Sequence, residues 1–339
     1  MNPEQRAESM QQAEAWLDAK GLPYFIYRER RSLIERHQKR RVVWLVTGAV
    51  VIAAAVGVGI GLLSTSVSAG VAVSTGVLLL LVLGYGWTFL GLRPIVLWAI
   101  WRTVGSFRLM FRLLTRALPL LLLFMTFLFI NTEVWQVASE VSRGRLWLGV
   151  LLFAAIAIAF LLVRLPDEVH HVEDEAADDR LVECCRGTPL AAAAATLKGD
   201  AYPARLSRMP RANLVLVLLV SQLLQVLVLS LTVFAFFIVF GMLAIDNHVI
   251  TTWLGPGHPD YLPSVEQWVP ISQELFQVSV FLAAFAGLYF TVYAVTDSTY
   301  REQFFASLSR ELEQAIGVYT VYETLRREDE AAGWLDGME

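Results

Sequence analysis

Long uncharged apolar runs alternate along this chain with shorter polar intervals, and the lengths of the runs carry most of the structural information. Residues 42–63 hold no charge and, at about 1.5 Å per helical residue, are long enough to cross a hydrocarbon layer of roughly 30 Å. Further runs occupy 70–92, 117–138, 146–163, 214–245 and 275–295, so the pattern predicts six transmembrane helices. The run at 214–245 exceeds the thickness of a bilayer, so its helix must tilt, kink or project beyond the lipid. The run at 117–138 turns polar near its end but is expected to continue as helix through Asn131, Glu133, Trp135 and Gln136.

The polar intervals also read as largely helical. Residues 1–41 predict one helix containing Glu8, Glu14, Trp16 and Leu17 that stops at Gly21 and Pro23, followed by a densely basic helix that ends in Lys39, Arg40 and Arg41. Residues 164–211 pass from acidic to alanine-rich to basic and suggest a loop with one or two short helices. Beyond the last apolar run, residues 296–339 contain no strong breaker up to Arg327. There Phe305, Leu308, Leu312, Ala315, Tyr319 and Tyr322 recur at spacings of three and four. Such a stripe suits pairing with a second copy or packing against the N-terminal helices of the same chain. A homo-oligomer formed through the fifth and sixth spans and this C-terminal helix is therefore expected.

Charge sets the expected orientation. The interval 246–274 has no Lys or Arg and is rich in Gly, Pro and aromatic residues, whereas 28–41, 93–116 and 205–211 are basic. By the positive-inside rule the basic segments face the cytoplasm, both ends with them, and 246–274 faces outward across a bacterial plasma membrane. Arg143 and Arg145 are the two charges that run against this assignment. Arg102, Arg108, Arg112 and Arg116 are interleaved with Trp98, Trp101, Phe107 and Phe111 and no acid, which predicts an amphipathic segment lying in the headgroup plane and binding anionic lipids. With 56% hydrophobic and 17% charged residues the chain has too much apolar surface for one water-soluble core. The expected class is an all-α polytopic membrane protein with six transmembrane helices, an interfacial basic amphipathic segment and helical cytoplasmic termini. Nothing in the sequence points to nucleic acid as a partner, and no cleaved signal peptide is expected.

Polar residues inside apolar runs are the places to look for function, because hydrocarbon leaves them without partners. Ser221, Gln222 and Gln225 fall inside the fifth span and suit either hydrogen bonding between helices or the lining of a hydrated path. Asn131, Glu133 and Gln136 fall near the outer end of the third span, where Glu133 would make a solvated helix end or an acidic entrance. Tyr289, Tyr293 and Asp297 share a face of the sixth, and Asp297 could pair with an arginine of 93–116. Sequence signatures of hydrolases, kinases and dinucleotide-binding enzymes are absent, so no catalytic residue, metal or cofactor is expected. Cys184 and Cys185 are adjacent and form no disulfide or redox motif. His170 and His171, and likewise His248 and His258 near Asp246 and Asp260, read more readily as solvated polar faces than as metal ligands.

The stretches FINTEVWQVA (129–138), LVSQLLQVLVLS in the fifth span and GLYFTVYAVTDSTYREQFF (287–305) resemble those of uncharacterised multi-pass membrane proteins of actinobacteria. That resemblance implies a bacterial plasma membrane and no particular activity. The leading functional expectation is an oligomeric channel-like or transport pore walled by the fifth and sixth spans. The alternative is a non-transporting scaffold or regulator that binds anionic lipids and cytoplasmic partners. A membrane enzyme comes third, since only Glu133, the outer-loop acids and His248 or His258 could supply it with a catalytic cluster.

Overall fold

A computed structural model describes residues 3–26, 39–63, 67–89, 92–105, 122–176, 181–197, 206–261, 271–296 and 298–336. Apart from one isolated antiparallel bridge between Tyr261 and Ser272, the regular structure among the described residues is helical. The elements are α1 (Pro3–Ala19), α2 (Lys39–Leu63), α3 (Val67–Phe89), α4 (Leu92–Gly105), α5 (Leu122–Phe129), α6 (Thr132–Glu140) and α7 (Arg143–Ala176). They continue with α8 (Leu181–Cys184), α9 (Ala191–Thr196), α10 (Arg208–Ala244), α11 (Asn247–Leu254), α12 (Gln273–Thr296) and α13 (Ser298–Asp336).

Three helices, α7, α10 and α12, are each long and apolar enough to cross a membrane, and counting two bent pairs as one span each raises the number to five. The expected six is not reached among the described residues, where Thr47–Ile60 of α2 counts only as a shorter apolar helix. The bent pairs are α3 with α4, which turn through 97°, and α5 with α6, which turn through 69°. The second bend corrects the expectation of one helix over 117–138. Asn131 adopts an extended backbone and its side chain accepts the Glu133 N–H at 2.7 Å, capping a new helix instead of continuing the old one.

Helix α12 is the centre of the bundle, packed against α10, α7 and α6. Its residues Leu275, Val278, Leu282, Ala286 and Phe290 are buried, and so are Leu229, Val233 and Phe237 of α10. Small residues permit the close approach: a Cβ on Gly287 would collide with Ser230, and one on Gly241 would collide with Leu275. Gly57 does the same for the α2–α3 hairpin, where a Cβ would lie 2.5 Å from Ser74 Cβ. Outward-facing side chains of the bundle are apolar, among them Leu152, Val163, Leu227, Leu231, Val239 and Leu243. A surface of this kind suits lipid and not water.

Two helices run on past the apolar zone. Helix α10 has 37 residues, about 55 Å by helical rise, in accord with the expected excess length. Helix α7 has 34 residues and continues to Ala176 with Pro166 inside it, so the interval expected as a loop from residue 164 begins as helix.

At the end of the bundle that carries Arg211, here termed the basic pole, α1, the 3₁₀ turn Pro23–Phe25, α4, α8 and the second half of α13 form a compact head. Leu312, Ala315, Tyr319 and Tyr322 are buried there. The ring of Tyr319 meets Phe25 edge-on at 5.0 Å, and the Tyr322 hydroxyl donates to Glu14 at 2.7 Å. The described part of the C-terminal stripe is thus covered by the chain's own helices, the second of the two arrangements its spacing allows. Asn213 anchors the head to α10, accepting the Tyr24 N–H at 2.9 Å and donating to the Gly21 carbonyl at 3.1 Å. The two cysteines pack against Gly317 of α13, where a Cβ would lie 2.9 Å from Cys184 Cβ.

Candidate functional site

Among the described residues, His258, Asp260 and Glu274 converge at the opposite pole. Helix α10 ends at Ala244, and Asp246 caps α11 by accepting the Asn247 N–H at 2.7 Å. Helix α11 stops at Gly255, and the positive φ angles of Gly255 (93°) and Gly257 (107°), which side chains with a Cβ rarely adopt, turn the chain back. Thr251 Oγ1 holds the returning strand by donating to the His258 carbonyl at 3.0 Å. The Gln273 N–H then donates to the Asp260 carbonyl at 2.6 Å, beside the Tyr261–Ser272 bridge. This pairing sets His258 and Asp260 against the first turn of α12, where Glu274 sits.

Glu274 is 2% exposed. Its Oε1 lies 2.7 Å from His258 Nδ1 and accepts the Asp260 N–H at 3.0 Å. Its Oε2 is buried without a hydrogen-bond partner among the described residues. The N-terminal position favours a negative charge there, but a buried carboxylate oxygen with nothing to bond is costly. His258, Asp260 and Glu274 each offer one ligand atom, and these atoms lie within 4.8 Å of one another. Burial is graded across the group: Glu274 closes the back, His258 is partly exposed, and Asp260 faces solvent. An imidazole and two carboxylates can share a proton or hold a divalent cation.

The surrounding pole is tied together by polar clips. Gln136 donates to the Trp253 carbonyl at 3.2 Å, and Arg143 donates to Gln273 Oε1 at 2.9 Å. Trp135, fully buried, stands edge-on to Trp253 at 5.7 Å and donates to the Phe129 carbonyl at 2.7 Å. A cavity of about 410 Å³ lies at the same pole, bordered by Trp135, Met242, Asp246, Tyr261 and Ser272.

The residues expected to line a pore are not brought together. Asn131 and Glu133 are exposed at the α5–α6 break, with Asn131 engaged as a cap, and Gln136 clips α6 to α11. Ser221 and Gln222 are buried on α10 and Gln225 is half-buried one turn further on. Ser221 Oγ and Gln225 Oε1 have no hydrogen-bond partner among the described residues. Tyr289 and Tyr293 stack with ring centres 6.4 Å apart, and Tyr289 is 44% exposed on the bundle surface. The larger cavity, about 450 Å³ between α7, α10 and α12, is lined by Phe153, Leu223, Leu227, Ala284 and Leu288, with Ser230 its one hydroxyl.

Of the four arginines assigned to anionic lipid, Arg102 turns inward. It pairs with Glu311 of α13 and lies over the Trp98 ring at 5.3 Å. Arg108, Arg112, Arg116 and Asp297 lie outside the described residues. Glu274 is the member of the His258, Asp260 and Glu274 cluster that sequence reading passed over, although the His-x-Asp step at 258–260 facing an acid at the other end of a loop is a usable signal.

No family model, no curated protein and no solved structure matches this chain.

Proposed function

We propose that the chain is a multi-pass plasma-membrane protein with both ends cytoplasmic that acts as a scaffold or regulator and does not conduct. One observation carries this reading: the cavity at the depth of the apolar zone is lined by aliphatic and aromatic side chains, and the polar residues Glu133, Gln222 and Gln225 stand apart from it. Water and ions gain nothing from such a lining. The helical head, built on α10 and α7 as they leave the bundle, offers a platform for cytoplasmic partners, and the basic segment that follows Arg102 is suited to anionic lipid. Six crossings and cytoplasmic termini belong to this proposal through the distribution of Lys and Arg.

Purified protein in liposomes loaded with a potassium- or proton-sensitive dye should leave the vesicles as tight as protein-free ones. A flux that is lost on Gln225→Leu would overturn the reading in favour of a pore.

The pore is the second reading, and a specific observation favours it. Ser221 Oγ and Gln225 Oε1 on α10, with Gln277 Oε1 and Ser279 Oγ on α12, are buried and lack hydrogen-bond partners among the described residues. A dry bundle strands such atoms, whereas a file of water would satisfy them.

A further inference from the structure

We infer that His258, Asp260 and Glu274 form a binding site for a zinc-like divalent transition-metal ion. The inference rests on geometry at one pole and is independent of whether the protein scaffolds or conducts.

Three features point to a cation and not merely to a structural hydrogen bond. The donor set is one imidazole nitrogen and two carboxylates, which suits zinc and its neighbours and is poor for magnesium, an ion that prefers oxygen and water. The ligand atoms already lie within 4.8 Å of one another, and tetrahedral ligands about 2.0–2.2 Å from zinc stand roughly 3.3–3.6 Å apart, so small side-chain movements suffice. Finally, Glu274 is almost wholly buried and its Oε2 has no hydrogen-bond partner among the described residues, so a metal bond would satisfy it.

Binding balances simply. His258 Nδ1 and Glu274 Oε1 lie 2.7 Å apart. The metal takes the Nδ1 lone pair and a carboxylate oxygen; a neutral imidazole moves its proton to Nε2 through solvent, an imidazolium releases one proton, and the pair widens from 2.7 Å to roughly 3.3–3.6 Å. Supports for the ligands are in place without the ion. The Asp260 N–H bonds Glu274, and the Asp260 carbonyl is held by the Gln273 N–H. Thr251 holds the His258 backbone. The fourth position of a tetrahedral ion is left to water on the solvent side of Asp260.

Full-length protein purified in detergent, stripped with a chelator and titrated with zinc against a chromophoric competitor, tests the site. One equivalent of zinc should bind per chain with micromolar or tighter affinity, and magnesium should not displace it. Loss of an outer-shell partner already weakens metal sites by about 10- to 100-fold, so removing a ligand in Glu274→Gln or His258→Ala should cost at least about 100-fold. Glu274→Gln keeps side-chain size, and its metal-free circular dichroism should match the parent. If it fails to fold, Asp260→Asn on the exposed side carries the same test with a loss of about tenfold or more. Absence of zinc binding, or binding that Asp260→Asn and His258→Ala leave untouched, would overturn the inference and assign any bound metal to other surface histidines.

Discussion

Arg102 and Glu311, more than two hundred residues apart in sequence, form an ion pair that joins the end of α4 to α13. The Arg102 side chain is 19% exposed and that of Glu311 30%, placing the pair between a surface bridge and a buried one. Removing one partner should therefore cost about 1–3 kcal/mol, more than a surface pair and less than a fully buried one. Arg102→Gln is expected to speed limited proteolysis of the head and lower the melting temperature. The charge swap Arg102→Glu with Glu311→Arg should recover part of the loss. If the swap behaves no better than the sum of the single variants, the pairing has no energetic weight.

Asn213 makes two hydrogen bonds to backbone groups of the N-terminal segment, and both it and Tyr24 are buried. Asn213→Leu would leave the Tyr24 N–H and the Gly21 carbonyl without partners in an enclosed setting. At about 1–3 kcal/mol for each stranded group, residues 3–26 should detach well before the bundle unfolds. Hydrogen exchange should then report faster opening in α1 and unchanged protection in α12. Uniform loss of protection would place the anchor's role elsewhere.

Cys185 is fully buried, and burial, with the adjacent Cys184 adding to it, pushes its thiol up to about 12. An unfolded cysteine ionises near pH 8.5, so between that pH and about 12 unfolding releases a proton that the folded chain retains. Stability should consequently fall as pH rises from about 9 toward 12. The part of that slope due to Cys185 should vanish in Cys185→Ala. Alkylation of the folded protein at pH 7.5 should be very slow and should accelerate on denaturation. Rapid labelling of the native chain at Cys185 would contradict the packing described.

The long apolar helices are legible in the sequence because hydrocarbon demands uninterrupted runs near twenty residues, and no other solvent does. The stripe Leu312, Ala315, Tyr319 and Tyr322 announces a buried face but not its cover, since spacing alone does not distinguish α1 and Phe25 from a second copy. The break at Asn131 is hidden because a capping residue inside an apolar context carries the same letters as a helix end exposed to water. Least visible is Glu274. Its approach to His258, sixteen residues away in sequence, depends on turns at Gly255 and Gly257 and on the pairing of Tyr261 with Ser272, none of which leaves a periodic trace.

Pro166 lies three residues beyond the last apolar position of the run in α7, just past Arg164. A proline there has no N–H to offer the Leu162 carbonyl, so one rung of the helix ladder is missing where the apolar run gives way to charged residues. Helix α7, which runs from Arg143 near Gln273 to Glu173 beside Arg211, therefore lacks one backbone hydrogen bond just past its apolar run. The helix nevertheless runs unbroken through Pro166 to Ala176, so the missing rung is absorbed without ending it.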